Sequence, residues 1–295
     1  MINRRRFLHH LGAALAVGAL NRPLGRFFLQ PQSAAADLQP NRHLALLADA
    51  HVSRSPRGLA AAANLRTAVA AINSHRPPID LVCFLGDLAD TPYPADLQLG
   101  WEILSTLKPP VWFLRGEQEP AGTALPPSAS IAGGPWSRPF AGTHLIAFDL
   151  PSSPEATGAP PFCFTPRLLD WLLTQLAHLP PTCPLLILSH APLYPLFPPW
   201  DWYTAGAEPL LEALRPRPQV LLLHGHVHQH LHTRVENLIF QGVRATSWPL
   251  PDVRMGTTPT CPTPAALPSP LGCGWLLLTI SSTGTVTMTD QPLTT

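Results

Sequence analysis

Lysine is nearly missing: among 295 residues only Lys108 carries that side chain, and arginine supplies the remaining positive charge. The formal net charge is +1, so no bulk cationic character marks nucleic acid as a partner. The five cysteines, Cys83, Cys163, Cys183, Cys261 and Cys273, contain no Cys-x-x-Cys spacing, which argues against a thiolate zinc site. The N-terminal apolar stretch Leu11–Leu20 is too short for an ordinary membrane span. No internal repeat is visible, and nothing calls for an obligate protein partner.

Proline, by contrast, is plentiful at 38 residues and reads as compositional bias with many stiff loops. Short apolar runs stand at 43–48, 80–85, 111–115, 144–149, 184–189 and 219–224, each ending in polar residues, as buried strands do. Helical spacing separates them at 57–75, 95–107 and 165–178, with Thr165 as an N-cap before Pro166. After Gly225 the alternation gives way to a meander of short strands, 230–234, 237–241 and 242–247. A Pro/Thr-rich loop over 249–271 and a terminal hairpin, 275–281 with 284–290, follow. The predicted fold class is α/β, a two-sheet β-sandwich flanked by helices. Cys83 sits in an apolar run as a core residue, and Cys261 and Cys273 bracket a loop that a disulfide would close.

Five motifs follow successive strands: Asp49-Ala50-His51, Gly86-Asp87-Leu88-Ala89-Asp90, Gly116-Glu117-Gln118-Glu119, Ser189-His190-Ala191-Pro192 and Gly225-His226-Val227-His228. Carboxylates mixed with imidazoles at strand C-termini suit a pair of divalent metals. Asp49 and His51, two apart on a segment read as extended, face the same way. His226 and His228, one residue apart, can reach two adjacent metals. His230 and His232 read as polar residues continuing that strand, and Asp90 as either a residue orienting a ligand or the N-cap of the next helix. Trp200, Trp202 and Tyr203 read either as a stacking surface at the pocket mouth or as loop packing.

The motif order resembles the calcineurin-like metallophosphoesterase superfamily, whose pattern is DxH, GDxxD, GNH(D/E), H and GHxH, over residues 43–230. The resemblance implies two metal ions, manganese, iron or zinc, held by Asp49, His51, Asp87, Glu117, His190, His226 and His228. Asp87 would bridge them, with His228 on the first and His226 on the second. It implies a phosphoesterase acting on a small phosphate ester, a phosphomonoester or phosphodiester, by metal-activated hydroxide. Position 90 is Asp, where purple acid phosphatases have tyrosine, and the layout is similar to bacterial phosphodiesterases of the cyclic-nucleotide type.

One departure matters. Where the family has Asn-His, this chain has Glu117-Gln118, and no Gly-Asn-His occurs elsewhere. In the family the Asn ligates the second metal and the His helps protonate the leaving oxygen. Glu117 can still ligate, with added negative charge. Gln118 can hydrogen-bond to the substrate phosphate but cannot act as an acid, and losing such an acid typically slows catalysis by about 10²–10⁴-fold. Gln118 and Asp90 are therefore the residues expected beside the chemistry, with His75, His144, His230 and His232 as replacement acids. Two readings stay open: a working enzyme with altered substrate choice, or a metal-binding protein with weak or no activity.

The segment Asn3-Arg4-Arg5-Arg6-Phe7-Leu8-His9, followed by Leu11–Leu20, resembles a twin-arginine export signal, with Ala34-Ala35-Ala36 as a cleavage site. This implies a signal segment 1–36, a metallophosphoesterase domain 37–295, export machinery of that type as a partner, and a periplasmic location, with an uncleaved anchor as the alternative. Residues 1–36 hold five arginines and no acid, so the remainder carries a formal charge of −4.

Overall fold

The computed structural model describes residues 40–119, 122–123, 130–151, 162–218, 220–251 and 270–294. The expected signal segment, Cys261 and most of the 249–271 loop lie outside them. Two six-stranded mixed sheets pack face to face. The first has the order β12-β11-β1-β2-β3-β4, built from β1 (Arg42–Leu47), β2 (Leu81–Phe84), β3 (Val111–Phe113), β4 (Ile131–Ala132), β11 (Gly274–Ile280) and β12 (Val286–Pro292). The second has the order β5-β6-β7-β8-β10-β9, from β5 (Trp136–Phe140), β6 (Thr143–Ala147), β7 (Leu185–Ser189), β8 (Val220–His224), β9 (His232–Val235) and β10 (Leu238–Gly242). Strands β1 to β4 run parallel, as do β6, β7, β8 and β10. Their C-terminal ends therefore gather at one edge of the sandwich.

Each strand is apolar throughout because both its faces are covered. Leu44, Leu46 and Ala48 point between the sheets with Leu186, Leu188, Leu276 and Leu278. The intervening Ala45 and Leu47 meet Leu65, Val69 and Ile72 of α1 (Pro56–Ser74), beside Leu97 and Trp101 of α2 (Pro94–Leu104). On the far side, Ile187 and Leu222 meet Leu172 and Leu176 of α3 (Pro166–His178), and Leu210 and Leu214 of α4 (Glu208–Leu214). The order is helix, sheet, sheet, helix, and each leucine fully removed from water contributes about 1.5–3 kcal/mol.

All four described α-helices carry proline in the first turn. Proline there removes only an N–H that has no helical partner, and its fixed φ suits the helix. Thr165 accepts from Leu168 N at 3.2 Å, the predicted N-cap, and Ser55 caps α1 through Gly58 N at 3.0 Å. Asp90 is not a helix cap, because α2 begins at Pro94 with Tyr93 as its N-cap.

Three local expectations are corrected. The segment after β8 is no meander: β10 pairs in parallel with β8, and β9 is an antiparallel edge strand on β10. Residues 243–247 form no strand, because Thr246 N and Ser247 N bond to Ala48 O and Asp49 O across the sandwich instead. Cys273 is a buried free thiol 3.4 Å from Ser247 O. Cys83 is buried in the core as expected. No helix among the described residues is long and apolar enough to cross a membrane.

Candidate metal centre

The ligand loops begin where the parallel strands end. The loop after β1 is laced to the loop after β2, with Asp49 N to Gly86 O at 3.0 Å, Ala50 N to Asp87 O at 2.8 Å and Val52 N to Leu88 O at 2.9 Å. Asp49, His51, Asp87, His226 and His228 all have positive φ, between 42° and 63°. The expectation of an extended Asp49–His51 segment therefore fails: the chain turns at each ligand. Such a conformation costs on the order of 1–3 kcal/mol per non-glycine residue and persists only where surroundings impose it. Here main-chain hydrogen bonds and Ser247 Oγ, which donates to Asp49 O at 2.6 Å, hold the loops. Gly116 is required by close approach, since a Cβ there would overlap the Asp87 carboxylate.

All seven predicted ligands meet at this edge, in two sets. Asp49, His51 and His228 present ligand atoms within 4.8 Å of one another, and so do Glu117, His190 and His226. Asp87 lies between them, its Oδ2 3.5 Å from His51 Nε2 in one set and 3.6 Å from His190 Nε2 in the other. Each half-site thus has one private carboxylate, two imidazoles and a share of Asp87. The sets also touch through Asp49 Oδ1, 3.9 Å from His190 Nδ1.

The donor set fits metal ions. His190 Nε2 and Glu117 Oε2 are 2.6 Å apart, yet neither is aligned for a hydrogen bond and both are buried without one. They aim at a shared point, as ligands of one ion do. His51 Nε2 and His228 Nε2 meet at 3.1 Å in the other half-site. His190 Nδ1 contacts Leu85 O at 2.6 Å and His228 Nδ1 contacts Trp248 O at 2.8 Å, which leaves each Nε2 for a metal.

Charge is finely divided here. Burial, then the neighbouring Glu117, pushes the Asp87 carboxyl well above its usual range. Burial would also raise Glu117, but His226 and His190 outweigh it and hold that carboxyl well below its usual range. His190 is pulled down by burial and lifted further by Asp87 and Glu117, ending well above the ordinary imidazole value. Burial, with His228 alongside, lowers His51, and burial lowers His228.

Gln118 donates its main-chain N–H to Asp87 Oδ1 at 3.0 Å. Asp90 accepts from Arg57 at 2.8 Å and lies 3.7 Å from His51 Nδ1, beside a ligand rather than at a helix end. The four replacement-acid histidines are elsewhere. His75 and His144 stand at the opposite ends of their elements, with His75 C-capping α1 and His144 second in β6, opposite Leu185. His230 neighbours Asp290 and Arg244, and His232 bonds Gln241 at 3.1 Å. Trp200 and Trp202 are buried against Val227 behind the ligand loop, so they pack the loop and offer no stacking face; Tyr203 is half-buried.

Several contributors escape the motif reading. Glu119, 1% exposed, accepts from Asp87 N and Gly116 N, both at 2.9 Å, and from Leu88 N at 2.7 Å, binding the second and third motifs together. The acidic fourth position of the GNH(D/E) pattern was its signal. Ser247, Trp248 and Arg57 had none, because they belong to no motif and reach the site only through the fold.

A four-layer sandwich with two carboxylate–imidazole sets facing each other across one aspartate defines the dinuclear metallohydrolase class. A family profile described as calcineurin-like phosphoesterase matches residues 42–230, and the chain belongs to that family. Among solved structures it is similar to a dimetal phosphatase from Danio rerio, with TM-score 0.59 and 16% identity over 87% of this chain and 100% of that one. It is also similar to GAP50, the anchor in the inner membrane complex of Plasmodium, with TM-score 0.52 and 10% identity over 87% and 90% of the two chains. At such identities these likenesses show the fold. A search of curated protein sequences finds no significant match.

Proposed function

We propose that the chain is an exported dinuclear-metal phosphoesterase that hydrolyses phosphomonoester or phosphodiester bonds of a small substrate. The observation that carries this reading is Asp87, whose Oδ2 stands nearly equidistant from one imidazole of each half-site. When bound, two ions there supply Lewis-acid activation of water and neutralise the phosphate's charge. Manganese, iron and zinc all suit carboxylate–imidazole donors. Asp49, His51 and His228 would hold the first ion, Glu117, His190 and His226 the second, and Asp87 both. Gln118 orients Asp87 through its main-chain N–H and offers an amide to the phosphate. Having no proton to give as an acid, it favours leaving groups that depart as stable anions.

Export rests on the Arg4-Arg5-Arg6-Phe7-Leu8 segment and the apolar stretch after it, with the twin-arginine machinery as partner and the periplasm as destination. The test of activity is manganese-dependent hydrolysis of an activated aryl phosphodiester. Turnover that disappears in Asp87→Ala is the expected result. Two bound metals without turnover, under manganese, zinc or iron, would establish the second reading, a non-catalytic metal-binding protein. That alternative is favoured by Glu117-Gln118, and the fold also serves a protein described as an anchor.

A further inference from the structure

Two of the imidazoles have an evident means of being held: His190 and His228 engage main-chain carbonyls through Nδ1. His226 Nδ1 faces Glu117 Oε1 of its own set at 3.0 Å. His51 differs. Its Nδ1 is buried with no hydrogen-bond partner, and the nearest carboxylate, Asp90, stands 3.7 Å away. A metal ligand whose outer nitrogen is unanchored is free to rotate about its ring axis unless something else fixes it.

What touches its face is Trp248. The indole stacks on the His51 ring, with centroids 5.1 Å apart and planes 29° from parallel, and lies 6.0 Å from His228. Trp248 is 2% exposed and its indole nitrogen makes no hydrogen bond, so the ring is placed by what it packs against. The Arg57 guanidinium lies over it, 4.6 Å from the centroid, and donates to Asp90 at 2.8 Å. Arg57, Trp248, His51 and Asp90 thus close a ring of contacts around one side of the first half-site.

We propose that Trp248 is the positioning residue for His51, with Arg57 fixing the indole, and that this stacked brace sets the affinity of the first half-site for its metal. The brace replaces the hydrogen bond that a ligating imidazole ordinarily makes through its other nitrogen. It leaves the second half-site untouched. The proposal rests on the dinuclear reading above, and the experiment separates the two.

Manganese is titrated into metal-free full-length chain, and bound ion is followed by electron paramagnetic resonance. Trp248→Leu, which keeps bulk but removes the stacking face, should weaken one of two equivalents about 10–100-fold and spare the other. Trp248→Phe should restore affinity to within about threefold, since a flat ring can still stack. In a His51→Ala background Trp248→Leu should leave the remaining equivalent unchanged, a result that general loosening of the fold would not give. Arg57→Leu should act in the same direction more weakly, and it decides the matter if Trp248→Leu does not fold. Unchanged affinity for both equivalents, equal weakening of both, or a weakened remaining equivalent in the His51→Ala background would each overturn the brace. A wild-type chain that binds no manganese, zinc or iron would remove the dinuclear reading and the brace together.

Discussion

The two half-sites have the same donors in different settings. Asp49, His51 and His228 are all buried, held between main-chain hydrogen bonds and the Trp248 ring. Glu117 and His226 are partly exposed, with side chains 24% and 15% accessible, on loops that face outward. The private carboxylate of the first set lies two residues beyond a core strand, and both its oxygens accept from His226 N at 3.0 Å. That of the second set lies in a loop tied down through Glu119. Similar donors are thus offered once by a fully buried wall and once by a set in which only His190 is fully buried.

The largest effect should come from breaking the buried side. Asp49→Ala removes a ligand and leaves His226 N without its acceptor, and it should eliminate the first metal and lower turnover by about 10³-fold or more. Glu117→Asn keeps a neutral oxygen ligand and should weaken only the second metal, by on the order of tenfold. Metal content measured against added manganese checks the contrast. If the two variants lost the same ion, the division into half-sites would be wrong.

A smaller effect sharpens what the shared aspartate does. Its pKa is raised in the fold by burial and by Glu117, so without metal the folded protein holds that proton more tightly than the unfolded chain does. The stability this gives is present in acid and is lost as pH rises from the usual carboxylate range through the raised value. Metal-free Asp87→Asn should therefore be more stable than wild type at neutral pH, with the gain vanishing in acid. Thermal unfolding of the two metal-free proteins across pH measures it. A constant gain at every pH would mean that charge is not the cause.

The smallest effect is expected far from both halves. Thr165→Ala removes the N-cap of α3 and should cost about 1 kcal/mol of stability while leaving both metal affinities unchanged, as denaturant unfolding alongside metal titration would show.

The strand runs were legible because they follow a local rule: a strand covered on both faces must be apolar at every position. That the motif carboxylates and imidazoles would gather at one edge came from the motif order and the family it resembles. Pairing was less legible. Nothing in Leu238–Gly242 says that it lies parallel to β8, because periodicity names a strand and not its neighbour. β5 was missed because Pro139 interrupts it, as an edge strand allows, and α4 because seven residues are too few for helical spacing to show. The left-handed turns at Asp49, His51, Asp87, His226 and His228 were invisible for a different reason. None is a glycine, so the conformation is imposed by contacts from β2, β7 and the 246–248 segment, hundreds of atoms away along the chain.

The prolines that open the four described α-helices have a consequence that no contact in the folded protein displays. Each occupies a position whose backbone angle it already satisfies, so it removes conformations from the unfolded chain while asking nothing new of the native one. At about 0.4–1 kcal/mol apiece, Pro56, Pro94, Pro166 and Pro209 together offset part of the strain gathered at the ligand turns. The strain is visible at the edge where metals would sit; what balances it lies partly in an ensemble that has no structure at all.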